Sequence, residues 1–179
     1  MRLTALFRQI LRESRFNFTS FNLTDRDLIE IATWNLKEYG VAQACFDNDN
    51  PTFEEEVTCL VHDYRTLLQD PFPMGFRNIP DPVPVLRVLK LKSPEQLNRE
   101  EVGGCWFTDP KSLKYLMSNL DFNLTNNPVY LIKATTPLSN VDVALSLVKR
   151  RESGGENEIY LRDNGRNVTI LFVDRVTPS

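Results

Sequence analysis

The chain has 179 residues, 41% of them apolar and 25% charged, with a net charge of −3. That composition belongs to a soluble globular protein of one domain, or one domain with a helical appendage, and excludes a disordered chain. The acidic balance argues against nucleic acid as a general partner, and apolar runs as short as Ile170-Leu171-Phe172-Val173 exclude a membrane span. Residues 1–80 hold eight basic against twelve acidic side chains, and residues 81–179 hold thirteen against twelve. The near-neutral second half leaves room for a local basic pocket for a phosphate ligand.

Met1, Leu3, Leu6, Phe7, Ile10 and Leu11 recur at helical spacing among Arg2, Arg8, Arg12 and Arg15. They predict a helix over 2–14, either a basic targeting helix or an amphipathic helix docked on the core, and the docked form is preferred. A second helix is expected over 25–39, with Thr24 or Asp25 as N-cap and Gly40 as its stop. A third is expected over 53–69, opened by the capping-box spacing Thr52-Phe53-Glu54-Glu55. His62 lies beside its apolar face and reads as a surface or half-buried side chain. Pro71, Pro73, Pro80, Pro82 and Pro84 then crowd a stretch that also holds Gly75, which excludes a helix or a central strand.

After that stretch the periodicity changes to alternation. Val85 to Leu91 reads as a strand, a Gly103-Gly104 loop follows, and Cys105-Trp106-Phe107-Thr108 comes next. Asp109-Pro110 is an N-cap with an N1 proline, so a helix is expected over 111–119. Val129 to Thr135 is a strand. Val141 to Val148 fits a strand or a helix. Arg151 to Gly155 reads as a loop. Glu156 to Arg162 and Asn167 to Val173 are strands joined as a hairpin around Asp163-Asn164-Gly165. The fold class expected is α+β: a helical region over 1–70, a proline-rich connection over 71–84, and a β-rich core of two small packed sheets over 85–179.

Cys45, Cys59 and Cys105 have no disulfide or zinc spacing, so a reducing cytoplasm is the simplest reading. The sequons at Asn17, Asn22, Asn123 and Asn167 are read as chance. The run Lys149-Arg150-Arg151 reads as a solvated face. No metal site and no oligomeric state follow from these residues.

The chemistry-bearing segment is Gly154-Gly155-Glu156-Asn157-Glu158-Ile159-Tyr160-Leu161. On a strand Glu156 and Glu158 project together while Ile159 and Leu161 turn to the core. Paired carboxylates suit a reaction that develops positive charge, and each raises the proton affinity of the other. Alone, Glu-x-Glu is also ordinary surface patterning. Here Arg87 stands upstream in an apolar strand, and a Gly-Gly-x-aromatic-aromatic-Thr turn lies between.

That order resembles the ADP-ribosyltransferase family, in the class marked by arginine, a Ser/Thr-bearing strand and Glu-x-Glu. The resemblance covers about residues 83–176, and the helices-first plan is similar to small phage-encoded members. The chain departs from the pattern in having only Thr108 where a Ser-Thr-Ser run is usual, and Val88 where glycine often follows the arginine. The resemblance implies transfer of ADP-ribose from NAD⁺ to a protein acceptor, arginine being one that this class uses. Glu158 would stabilise the ribosyl cation and Glu156 would serve the acceptor. Arg87 would pair with the NAD⁺ phosphate or brace the ribose, Thr108 would support Glu158, and Trp106 or Phe107 would pack on a ring of the ligand. Arg87, Thr108 and Glu158 are accordingly expected to line one cleft. The setting implied is cytoplasmic, in the host if the chain is phage-encoded. Three other readings are an NAD⁺ hydrolase, a non-enzymatic interaction protein of phage type using the fold as scaffold, and a nucleic-acid modifier, which the net charge disfavours.

Overall fold

A computed structural model describes residues 14–40, 51–90, 105–109, 128–152, 157–162 and 167–176. All but the last residue of the expected helix over 2–14, the expected helix over 111–119, the Gly103-Gly104 loop, Glu156 and the Asp163-Asn164-Gly165 turn lie outside the described residues.

Helix α1 (Asp25–Tyr39) and helix α2 (Phe53–Gln69) form where the sequence predicts them, because each start is sealed by reciprocal hydrogen bonds. The Asp27 N–H donates to Thr24 Oγ1 (3.3 Å), and the Thr24 N–H donates to the Asp27 carboxylate (2.7 Å). Thr52 and Glu55 repeat the box at α2, at 3.3 and 2.7 Å. Helix α1 ends at Gly40, whose φ of 86° is a left-handed value that favours glycine and whose N–H closes on the Leu36 carbonyl. The Thr24 hydroxyl and backbone hold the Asp27 carboxyl below its ordinary range, and the Thr52 backbone and hydroxyl do the same for Glu55. These bonds stabilise the fold above the ordinary carboxylate range and are lost as pH falls through the depressed values. Thr24→Ala is expected to cost about 1 kcal/mol, read as a lower thermal midpoint at pH 7 and a smaller difference in acid.

The proline-rich stretch is an ordered loop tied back to α2. The Phe76 N–H donates to Leu67 O (2.8 Å) and the Arg77 N–H to Asp70 O (2.9 Å), which occupies carbonyls that a helix end leaves without partners. The peptide bonds before Pro73 and Pro82 are cis. The Phe76 ring stacks on Phe21 at 4.0 Å between centroids, so the segment ahead of α1 closes over the loop.

Five strands follow: β1 (Val83–Lys90), β2 (Cys105–Phe107), β3 (Val129–Thr136), β4 (Glu158–Tyr160) and β5 (Thr169–Val176). They form one antiparallel sheet in the order β4-β2-β1-β3-β5, where two packed sheets were expected. Strand β1 starts inside the predicted connection and contains Pro84, opposite Thr135 on β3. Among the described residues β2 meets β1 only at Leu86↔Phe107, so Pro84 lies beyond its end, where a missing N–H is tolerated. The expected hairpin is also corrected: β4 and β5 are opposite edges of the sheet. Each finds its partner elsewhere, β4 on β2 and β5 on β3. The register of β3 and β5 shifts by one residue at Lys133/Ala134, which leaves Leu171 as the extra, outward residue of a bulge.

Residues 143–152 resolve the strand-or-helix ambiguity as helix α3 (Val143–Glu152), which also absorbs Arg151 and Glu152 from the expected loop. Val143 to Val148 are all buried, because α3 packs against α2 on one side and β4 on another. A helix apolar all round gives no clean 3.6-residue stripe. One apolar cluster runs from Leu28, Ile31, Leu60 and Tyr64 through Leu147 to Trp106, Ile132 and Ile159, so helices and sheet share a core.

Tyr64 is fully buried, and its hydroxyl accepts from Asn35 Nδ2 (3.0 Å). Burial, more than any other influence, raises its pKa well above the ordinary tyrosine value. The neutral phenol therefore stabilises the fold up to the unfolded pKa of about 10, and that contribution is lost as pH rises further. Of the five tyrosines, Tyr64 is expected to ionise only with alkaline unfolding, seen as a phenolate absorbance step that coincides with loss of helix. Ionisation of Tyr64 at an ordinary pH with the fold intact would contradict this.

Cys59 is disulfide-bonded, through a cysteine whose side chain lies outside the described ones. Cysteine usage therefore no longer argues for a reducing compartment. Among the described residues no helix is long and apolar enough to cross a membrane.

Candidate functional site

Three strands contributed by distant parts of the chain lie side by side: β1, β2 and β4. Their registers align Leu86 with Phe107 and Phe107 with Glu158, and set Trp106 opposite Ile159. Neighbours directly across an antiparallel pair share a face, and successive residues alternate. Glu158, Phe107 and Leu86 therefore form a row on one face, and Trp106 and Ile159 lie on the other. Ile159 and Leu161 are buried as expected.

Glu158 is partly exposed, on an edge strand. Its Oε2 accepts from the Tyr160 hydroxyl at 3.4 Å, a long bond from the next residue on the same face. Thr108 stands where β2 ends. Both its N–H (2.9 Å) and its hydroxyl (3.1 Å) donate to the Asn157 carbonyl, which ties the end of β2 to the start of β4. Asn157 is itself buried, and its Nδ2 donates to Asp109 Oδ2 (3.4 Å) and the Met74 sulfur (3.5 Å). The proline loop therefore reaches the same corner.

The expected single cleft is corrected at Arg87. One residue on from Leu86, Arg87 falls on the face opposite Glu158, and its guanidinium lies 6.0 Å from the Trp106 ring centroid. Trp106 is 0% exposed and Phe107 5% exposed, so neither ring offers a face to a ligand. Thr108 is buried with its hydroxyl engaged by Asn157. The structure thus brings Thr108 and Glu158 to one corner, leaves Arg87 behind the sheet, and makes β2, with Trp106 and Phe107 on its two faces and Thr108 at its end, the strand that holds β4 in register.

Arg150 was missed. The basic run that reads as a solvated face instead carries a guanidinium 2% exposed, while Lys149 pairs with Glu152 and Arg151 with Asp63. The signal was present in the spacing: Arg150 follows Ser146 and Leu147 by four and three residues on one helical face. Ser146 accepts from the Tyr160 N–H at 2.9 Å, so that face of α3 meets β4.

Comparison with protein families, curated proteins and solved structures returns no match.

Proposed function

We propose that this chain is an NAD⁺-dependent mono-ADP-ribosyltransferase acting on a protein, with Glu158 as its charge-stabilising carboxylate. One observation carries the reading. The three segments that resemble the family, far apart in sequence, are the adjacent strands β1, β2 and β4, and they set Glu158 beside the Phe107-Thr108 turn. A local surface Glu-x-Glu needs no such neighbours.

In the proposed reaction the bond between ribose C1′ and the nicotinamide nitrogen breaks, and its electron pair leaves with nicotinamide. Glu158 stabilises the oxocarbenium-like cation. The acceptor then bonds to C1′ and gives its proton to Glu156, or water takes the acceptor's place and the product is free ADP-ribose. Arg87 acts from behind, bracing Trp106 rather than touching phosphate. The supply of NAD⁺, rather than cysteine usage, is the reason to place this reaction in the cytoplasm. The test is release of nicotinamide from NAD⁺ by the purified protein. Release above the buffer rate supports the reading, and none rejects it.

A second reading, the non-enzymatic interaction protein, is favoured by one feature. Between α1 and α2 lies an open apolar groove of about 540 Å³ lined by Ile29, Thr33, Phe53, Val57, Val61 and Arg65. Ile29 and Phe53 are exposed there. If groove substitutions such as Ile29→Asp abolish biological effect while NAD⁺ stays intact in wild type, this reading replaces the first.

A further inference from the structure

We propose that Arg150 is the positioning residue for Glu158, an inference that rests on the transferase reading for what Glu158 does. A guanidinium removed from water needs an acceptor for each of its five N–H bonds. Arg150 has one for each. Nε and Nη2 both donate to the Glu158 carbonyl, at 3.2 and 2.8 Å. Nη2 also donates to Thr108 Oγ1 (3.4 Å), and Nη1 donates to the carbonyls of Pro73 (3.0 Å) and Gly75 (3.3 Å). The Phe76 ring lies beneath, 4.2 Å from the guanidinium carbon.

Three chain segments therefore meet on one planar fork. The proline loop is the fixed wall, since its Phe76 and Arg77 N–H groups are bonded to the end of α2 and its Phe72 and Gly75 N–H groups close the loop on itself. Strand β4 is the part that needs holding, being a three-residue edge strand with β2 as its neighbour in the sheet. The two bonds to the Glu158 carbonyl fix that peptide plane, and with it the direction in which the Glu158 side chain leaves the backbone. The bond to Thr108 fixes the neighbouring strand end by the same group. Lysine cannot repeat this, because a single ammonium has no fork to span two segments. Arg150 touches no reacting atom in this account; it acts through Glu158.

The experiment compares wild type, Arg150→Lys and Arg150→Ala for nicotinamide release from NAD⁺, with hydrogen exchange measured on the same samples. Misplacing a reacting group by about 1 Å costs on the order of 10²-fold, so kcat is expected to fall by about that factor in both variants while KM for NAD⁺ changes little. Exchange should quicken at residues 72–77 and 157–160 and stay unchanged across α1. Millimolar guanidinium should restore kcat in Arg150→Ala, whose cavity accepts it, and not in Arg150→Lys. Wild-type kcat in Arg150→Lys, or wild-type exchange at 157–160 in both variants, overturns the positioning role. A wild type that releases no nicotinamide rejects the transferase reading instead, and the exchange data then decide alone whether Arg150 holds β4. Should Arg150→Ala not fold, Thr108→Val removes one acceptor of the fork. It is expected to give a smaller kcat loss and faster exchange at 157–160, and unchanged exchange there counts against the proposal.

Discussion

Glu158→Gln is expected to lower nicotinamide release by about 10²–10³-fold, the usual cost of losing a placed electrostatic group. Protein labelling should fall with it, because transfer and hydrolysis pass through the same ribosyl cation. The amide keeps the shape of the side chain and can still accept from the Tyr160 hydroxyl at Oε1, so the loss reads charge rather than folding. Glu156→Gln should behave differently. If that residue takes the acceptor's proton, labelling is suppressed while much of the hydrolysis survives. Equal loss of both reactions in the two variants would reject the division of labour. Unchanged release in Glu158→Gln would make the pair surface decoration.

The largest effect on stability is expected from Gly75→Ala. A Cβ at Gly75 would run into the Asp70 carbonyl and Cβ and the Leu67 carbonyl. These atoms belong to the end of α2 and the turn after it, so they cannot swing aside as a flexible side chain would. The residue is also held at both ends: its N–H donates to Pro71 O (2.9 Å), and its carbonyl accepts from Arg150 (3.3 Å). The loop must move as a unit. Overpacking of this kind costs about 3 kcal/mol, which lowers the thermal midpoint of a chain this long by roughly 6–12 °C. A midpoint within a degree of wild type would mean that the loop yields freely, and would weaken the fixed-wall role given to it above.

What could be read from residues alone follows from the range of the interactions. The caps at Thr24 and Thr52 are bonds across three residues, and both appear where the spacing put them. Strand pairing acts over long separations. Asp163-Asn164-Gly165 carries a local turn signal, yet the strands on either side of it pair with β2 and β3 at opposite edges. The adjacency of β1, β2 and β4 was likewise invisible in chain order.

Facing was lost for a related reason. A shift of one residue turns a side chain to the other side of a sheet. The types Arg87 and Glu158 suited one cleft, but the Leu86↔Phe107 and Phe107↔Glu158 registers separate them. Arg150 was hidden by composition: three consecutive basic residues look alike until the apolar run from Val143 to Val148 is seen as a helix buried on most sides. Once it is, the middle residue of the three points to β4 and the proline loop.

The most direct measurement is transfer of labelled ADP-ribose from NAD⁺ to proteins of a cell lysate, with wild type and Glu158→Gln run side by side at equal, folded concentration. The account predicts a labelled protein band with wild type and none with the variant. Equal labelling by both, or neither labelling nor NAD⁺ loss with wild type, would contradict it.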